Sequence, residues 1–251
     1  MKIMRTVGDK QPLWAIIDGE TAHRLEGDVY GSPTKGAPIG PLAGLKILSP
    51  LLVENKVIIL LENWRSKDGR DGPGFILKPP NALINPGEPV IYPKIAAKVW
   101  FETELGIVIG KRSKGITPQQ APRHILGYTV SNDITAFELT KKTNEPVAYM
   151  GKGFDTFSVV GPCIATDVDP TNLLLQGYIN GKQYFEKNTG LMLWNAYEVV
   201  SWVSQIMTLF PGDVISCGAC PECLTELMQV GYRIGCGIQG IGRFENPVLA
   251  E

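Results

Sequence analysis

The strongest constraint on the fold is a strand-like run at residues 98–110, KVWFETELGIVIG. It is rich in β-branched and aromatic residues, which favour a β-strand, and a glycine closes it. Because side chains alternate across a strand, Glu102 and Glu104 share one face about 7 Å apart, together with Lys98. Like charges on one face repel. The strand alone favours a solvated face neutralised by Lys98, and the alternative is a divalent cation with oxygen ligands.

A third carboxylate, Asp133, ends a second strand-like run, and further motifs follow it. Their order resembles that of the fumarylacetoacetate hydrolase superfamily over residues 54–251: E-x-E-L-x-x-V-I-G, G-Y-x-x-x-N-D, K-G-F-D-x-F-x-x-x-G-P, N-G and L-x-P-G-D-V-I. The resemblance implies that Glu102, Glu104 and Asp133 hold Mg²⁺ or Mn²⁺. It also implies a mostly β, mixed α+β fold, in which a β-roll carries the site.

Residues 1–50 are predicted to form a small N-terminal β domain, and residues 54–251 the metal-binding catalytic domain. An Asp-Gly turn between two apolar runs at 12–25 indicates a β-hairpin, and Asn180-Gly181 indicates another. Apolar residues at helical spacing predict a helix over 194–209. Relatives often carry such an N-terminal β unit, and we expect it to serve packing rather than chemistry.

The segment after the first buried strand departs from the family pattern. Asn63 and Trp64 take the places of the family's Asn-Tyr pair, and Lys67 stands where its catalytic histidine would be. The chain has only two histidines, His23 and His124, and neither matches a family site residue. Lys67 could do acid–base work if burial lowers its pKa. A surface lysine in a loop is the alternative, which the residue types favour.

Lys152, between two glycines, matches the family lysine. It could neutralise the metal ligands or a substrate oxyanion, or form a structural salt bridge. Phe137 replaces the arginine that holds anionic substrates in many relatives, and Ala219 replaces a substrate-contacting threonine. We expect Asn63, Trp64, Phe137 and Gly218 to line the substrate pocket.

Three cysteines, Cys217, Cys220 and Cys223, have C-x₂-C-x₂-C spacing, and Cys236 follows thirteen residues later. Such spacing could hold zinc or an iron–sulfur cluster. Small buried thiols in a loop are more common, so the prediction is free thiols. Without a secretory signal at the N-terminus, reduced thiols and a cytoplasmic location are expected.

Composition narrows the classes of partner. A net charge of −1 over 251 residues gives no electrostatic case for nucleic acid. The apolar runs are far shorter than the roughly 18 residues of a membrane span. A small-molecule substrate is therefore expected, and the family resemblance implies a homodimer.

Three functions fit these residues. The first is a divalent-metal-dependent enzyme, a C–C hydrolase or decarboxylase, that acts on a 2-oxo acid or 1,3-dicarbonyl compound through a metal-stabilised enolate. The second is an isomerase or cyclase of a biosynthetic pathway with a more apolar substrate. The third is a non-catalytic relative that retains the metal site for structure.

Overall fold

A computed structural model describes residues 1–8, 11–52, 54–64, 69, 71–141 and 148–251. The strands within them are β1 Lys2–Gly8, β2 Gln11–Asp18, β3 Thr21–Glu26, β4 Thr34–Pro41, β5 Ile47–Leu48, β6 Val57–Leu61, β7 Gly74–Lys78, β8 Leu83–Ile84, β9 Val90–Tyr92, β10 Thr103–Ile109, β11 Ile125–Asp133, β12 Ser158–Ala165, β13 Leu174–Ile179, β14 Lys182–Asn188, β15 Val214–Ser216, β16 Arg233–Ile238 and β17 Gly242–Ala250. The α-helices are α1 Ala148–Lys152 and α2 Ala196–Ile206, and single 3₁₀ turns lie at Pro80–Ala82, Ala121–Arg123, Phe137–Lys141, Thr189–Leu191 and Pro221–Thr225. The predicted mostly β fold is confirmed.

The strands form two sheets that enclose the core. The larger follows the order β4-β3-β2-β1-β12-β11-β10-β15-β6-β7, with β5 on β1 and β8 on β12. The smaller follows the order β14-β13-β16-β17-β9. Apolar side chains of β10, β11, β13 and β16 belong to one buried cluster, so the small sheet covers the centre of the large one.

The N-terminal strands continue the large sheet. The predicted hairpin is present as β2 and β3, and Gly19 in its turn has a φ of 58°, a conformation that favours glycine. Strand β1 joins the rest of the sheet through antiparallel pairing with β12, at Lys2 with Ala165 and Ile3 with Ile164. Residues 1–50 thus attach by a sheet edge, away from β10.

Strand β10 is shorter and more deeply buried than the sequence predicts. It begins at Thr103, so Glu102 lies just before it, and every residue of β10 is buried. The interpretation of a solvated face is wrong, because β11 and β15 flank this strand and the small sheet covers it. Lys98 is exposed and lies outside the strand.

Helix α2 confirms the helix predicted over 194–209. Asn195 caps it, accepting hydrogen bonds from the backbone N–H groups of Tyr197 and Glu198, and the Glu198 side chain accepts from the Asn195 N–H in return. Its apolar stripe, Val199, Val200 and Val203, is fully buried in the main core. The helix packs beside the 3₁₀ turn that leads into β11.

Candidate metal centre and active site

Antiparallel pairing of β10 and β11 brings three carboxylates together. Thr103 pairs with Asn132, which sets the start of β10 beside the end of β11. The Asp133 N–H donates to the Glu102 carbonyl at 3.1 Å. As a result, carboxylate oxygens of Glu102, Glu104 and Asp133 lie within 4.8 Å of one another, and all three residues are buried. Among the described residues this is the one such group of His, Cys, Asp and Glu side chains.

Lys152, the last residue of α1, places its ammonium among these carboxylates. Its Nζ donates to Asp133 Oδ2, to Thr135 Oγ1 at 2.6 Å and to Glu102 Oε2 at 3.3 Å. The preceding glycine makes the approach feasible, since a Cβ at Gly151 would lie 2.4 Å from the Ala136 carbonyl oxygen. The G-K-G pattern is therefore a packing requirement around a buried cation.

A second buried ammonium, that of Lys78, holds Asp133 from the other side. Its Nζ lies 2.7 Å from Asp133 Oδ1 and donates to the carbonyl oxygens of Lys152 at 2.6 Å, Phe157 at 2.8 Å and Ile134 at 3.0 Å. Lys78 thus ties the end of β11, the end of α1 and the start of β12 to β7. Sequence reasoning missed this role, although the residue stands in a Lys-Pro pair that matches the family.

The two carboxylate oxygens of Glu104 have different surroundings. Its Oε2 accepts hydrogen bonds from Ser216 Oγ at 2.6 Å and from the Gly218 N–H at 2.8 Å. Its Oε1 is buried and has no hydrogen-bond partner. A buried carboxylate oxygen without a partner is costly unless a ligand completes it.

The electrostatics follow from burial and from the two lysines. Burial raises the pKa of Glu102, and it raises that of Glu104 well above its usual value, with Asp133 and Glu102 adding to the rise. Burial also opposes ionisation of Asp133, but Lys152 and Lys78 outweigh it and lower its pKa. Although burial acts against the ammonium of Lys152, Asp133 and Glu102 raise its pKa. Lys152 is therefore a fixed cation near neutral pH.

These residues fit a divalent cation. Oxygen ligands from carboxylates suit Mg²⁺ and Mn²⁺. The three carboxylates carry one more charge than the two lysines neutralise, and Glu104 Oε1 offers a free buried ligand atom. The donor set therefore supports the predicted ligands Glu102, Glu104 and Asp133, while the identity of the metal stays a prediction.

Two of the predicted substrate residues, Asn63 and Trp64, hydrogen-bond to backbone carbonyl groups. The Asn63 side chain is fully buried and bonded to backbone: its Nδ2 donates to the carbonyls of Trp194 at 3.2 Å and Cys217 at 3.0 Å, and its Oδ1 accepts from the Trp194 N–H at 2.9 Å. Trp64 Nε1 donates to the Gly218 carbonyl at 2.8 Å. Asn63 and Trp64 thus position the Gly218 loop, whose N–H in turn holds Glu104.

Phe137 lies at the surface and meets Trp100 edge-on, with ring centroids 5.7 Å apart. Lys67 lies outside the described residues, so its catalytic role stays a prediction. Neither histidine contacts the centre: His23 Nδ1 is 3.2 Å from the Gly36 carbonyl oxygen, and His124 Nδ1 is 2.9 Å from Ser113 Oγ. Substrate contact by Phe137 and Gly218 likewise remains a prediction.

A cavity of about 850 Å³ adjoins the centre on the Lys78 side. Its wall combines Lys78 with apolar side chains, among them Leu77, Met150 and Phe154. None of the three carboxylates lines it. Because the carboxylates are the groups that could bind a metal, we place the site at them. The cavity is a separate feature that shares Lys78 with the site.

Comparison with known proteins identifies the family. The family model described as "Fumarylacetoacetate (FAA) hydrolase C-terminal" matches residues 61–249. The chain belongs to the fumarylacetoacetate hydrolase family. Residues 1–50 match a second model, described as "Rv2993c-like, N-terminal". Protein Rv2993c of Mycobacterium tuberculosis is 36% identical to this chain, over 100% of this chain and 99% of that protein.

Other relatives carry activities in their names. Oxaloacetate tautomerase FAHD2A, mitochondrial, of Bos taurus is 30% identical, over 84% of this chain and 72% of that protein. The crystal structure of 2-hydroxyhepta-2,4-diene-1,7-dioate isomerase from Mycobacterium marinum superposes with a TM-score of 0.91 at 34% identity, covering 100% of this chain and 99% of that one. The chain therefore shares its fold, over its whole length, with a protein that is named as an enzyme.

Proposed function

We propose that this chain is a divalent-metal-dependent enzyme that acts on a 2-oxo acid, or on a related 1,3-dicarbonyl compound, by way of an enolate. The observation that carries the proposal is the buried group of Glu102, Glu104 and Asp133, with one unpartnered oxygen and the Lys152 ammonium in contact. A cation held by these residues would supply Lewis-acid stabilisation of negative charge on the substrate oxygens.

The chain's own residues support enolisation. Lys152 is held as an ammonium whose N–H groups are directed at Asp133, Thr135 and Glu102, so it acts as a counter-charge for a developing oxyanion rather than as a base. Asp133 stays ionised because two lysines contact it. Lys67, at the position of the family histidine, is the second catalytic group that we propose.

Among the possible outcomes of an enolate, we favour tautomerisation or isomerisation. The named reactions of two relatives, oxaloacetate tautomerase and 2-hydroxyhepta-2,4-diene-1,7-dioate isomerase, share one step: a proton moves between carbon and oxygen in a 2-oxo acid or its enol. That step needs charge stabilisation and proton transfer but no activated water. It therefore suits a centre in which no described residue places an imidazole.

C–C cleavage is the second candidate. The observation that favours it is the likeness to a fumarylacetoacetate hydrolase from Exiguobacterium antarcticum, with 26% identity and a TM-score of 0.88 over 100% of both chains. Hydrolysis and decarboxylation would pass through the same enolate. The two candidates differ in their products rather than in the site.

One experiment separates them. Oxaloacetate and an acylpyruvate are incubated with the protein and Mg²⁺, and keto–enol exchange is followed by absorbance while pyruvate release is measured in the same samples. Faster exchange without pyruvate supports tautomerisation, and pyruvate release supports cleavage. Mn²⁺ binding without either activity would favour a non-catalytic relative that keeps the site.

We also propose a homodimer, a small-molecule substrate and a cytoplasmic location. Among the described residues, no helix combines the length and apolar character that a membrane crossing requires. Light scattering at micromolar concentration tests the dimer, and a monomer mass would overturn it.

A further inference from the structure

Two of the four cysteines near the centre lie in direct sulfur–sulfur contact. Cys220 Sγ and Cys223 Sγ are 3.1 Å apart, and both residues are buried in the loop between β15 and β16. Cys220 is the N-cap of the 3₁₀ segment Pro221–Thr225 and Cys223 lies within it, so the C-x-x-C spacing places the two thiols about one turn apart. A disulfide bond is about 2.05 Å long, so the sulfurs need to approach by only about 1 Å.

Two backbone groups, the Thr103 carbonyl and the Gly218 N–H, relate this pair to the carboxylates. Cys223 Sγ lies 3.7 Å from the carbonyl oxygen of Thr103, the residue between Glu102 and Glu104. Two residues before Cys220, the Gly218 N–H donates to Glu104 Oε2. The thiols and the ligand-holding N–H therefore belong to one short loop.

We propose that Cys220 and Cys223 form a reversible disulfide, and that this bond regulates the carboxylate centre by moving the Gly218 loop. The oxidant is a peroxide. The regulatory part of this proposal rests on the proposed metal-dependent function, whereas formation of the disulfide does not.

The chemistry balances in two steps. The Cys220 sulfur attacks one oxygen of hydrogen peroxide, the O–O bond breaks, and the released hydroxide takes the Cys220 proton to become water. Cys223 sulfur then attacks the Cys220 sulfenic sulfur, the S–O bond breaks, and hydroxide leaves with the Cys223 proton as a second water. Two thiols are oxidised to one disulfide and one peroxide is reduced to two waters, and a dithiol reductant reverses the change.

The surroundings assign the attacking sulfur to Cys220. A hydrogen bond from the Cys223 thiol lowers the pKa of Cys220, while burial raises that of Cys223. The two residues between the cysteines in the chain, Pro221 and Glu222, are exposed and half-buried respectively, so the chain reaches the surface between the two thiols. Cys217 and Cys163 are buried as well, and burial raises the pKa of each, so they serve as controls.

The test is native peroxide oxidation followed by denaturation, alkylation and peptide mass analysis. Trypsin releases residues 188–233 as one peptide that contains Cys217, Cys220 and Cys223. We expect one alkylated cysteine and a mass lower by two hydrogens, in the natural chain and in Cys163→Ser. Cys217→Ser should show the same two-hydrogen loss with no alkylated cysteine left. Cys220→Ser and Cys223→Ser should not show the two-hydrogen loss, and dithiothreitol should reverse that loss in the natural chain. Unreacted thiols, or a two-hydrogen loss that disappears in Cys217→Ser, would overturn the pair.

The regulatory part is measured by Mn²⁺ titration of the reduced and oxidised protein. Weakening of one charge-assisted hydrogen bond to Glu104 predicts about tenfold weaker Mn²⁺ binding after oxidation, with no change in peroxide-treated Cys223→Ser. Equal affinity in both redox forms would refute the regulation. An absence of Mn²⁺ binding in the reduced protein would instead refute the proposed metal site and leave the peptide result standing.

Discussion

Asp213 and Glu104 are both buried acids in family motifs, and they differ in what completes them. Asp213 Oδ1 accepts from the Lys56 N–H at 2.9 Å, and its Oδ2 accepts from Lys56 Nζ at 2.5 Å and from the Phe210 N–H at 2.7 Å. Glu104 keeps one buried oxygen without a partner. The chain satisfies Asp213 by itself, which is typical of a structural residue, whereas Glu104 needs something from outside.

Structural and functional acids in this fold differ in their hydrogen-bond donors. Burial alone does not separate them, because both side chains are almost fully buried. The distribution of hydrogen-bond donors does separate them, because the Asp213 donors come from its own turn and from one partly exposed lysine. The Glu104 side chain shares its site with two other acids and two buried lysines.

The largest effect should come from the lysines of the two sites. Lys152→Met removes the counter-charge of the centre, and we expect turnover to fall about 10²–10³-fold, the usual cost of losing one group that stabilises an oxyanion electrostatically. Lys56→Met, at the satisfied Asp213, is the matched control and should leave turnover within about twofold. Lys67→Met should have a smaller effect than Lys152→Met. Equal losses in Lys152→Met and Lys56→Met would show that both sites act through stability alone.

Metal binding should next separate the carboxylate centre from Asp213. For the natural chain, Mn²⁺ at a hundredfold excess over its Kd should raise the melting temperature by roughly 5–10 °C. Glu102→Ala should abolish this shift, because one of three ligands is lost. Asp213→Ala should keep the shift from a lower starting temperature. Differential scanning fluorimetry measures both, and a full shift in Glu102→Ala would contradict the ligand assignment.

The free energy of unfolding should be more sensitive to Asp213 than turnover and metal binding are. Asp213→Ala leaves Lys56 without its partner, so the free energy of unfolding should fall by roughly 2–3 kcal/mol, below the cost for a fully buried pair because Lys56 is partly exposed. Urea unfolding with metal removed by chelator gives the value. A loss below about 0.5 kcal/mol would mean that the Lys56–Asp213 pair contributes no more to stability than an exposed ion pair does.

Glu104→Gln should stabilise the metal-free protein. The pKa of Glu104 is raised in the folded state, so the folded protein binds its proton more tightly, and stability is lost as pH rises above the ordinary glutamate value. Glutamine imitates the protonated acid and can still accept from Ser216 and Gly218. We expect a melting temperature a few degrees higher at pH 7, a gain that disappears toward pH 4. With Mn²⁺ the order should reverse, and a variant less stable than the natural chain under both conditions would refute the assignment.

The smallest effects should come from the histidines, which lie outside both sites. His23→Gln and His124→Gln should leave the pH–rate profile unchanged and turnover within about twofold. Loss of the Ser113 hydrogen bond should cost His124→Gln about 1 kcal/mol of stability. If His124→Gln instead removes activity while Lys152→Met does not, the active site lies elsewhere.

The sequence predicts the three acids and Lys152 because each stands in a side-chain pattern with fixed spacing. The β2–β3 hairpin and helix α2 follow in the same way from the turn residues and from the spacing of apolar residues, and the fold follows from the order of the family motifs. The Lys-Pro pair marks Lys78 in the sequence but does not predict its role, because three of its oxygen partners are backbone carbonyls 56 to 79 residues away, which leave no pattern in side chains. The burial of Glu102 was also missed, because a second sheet covers β10 and no local signal records it.

The Asn63 side chain has a consequence for how the protein is made. Its amide joins the segment after β6 to residues 131 and 154 positions later in the chain. Contacts of such long separation slow folding, because the loop between them must close first. During synthesis the Asn63 side chain therefore emerges from the ribosome long before its partners do. Until Trp194 and Cys217 have emerged, these hydrogen bonds of the Asn63 amide cannot form.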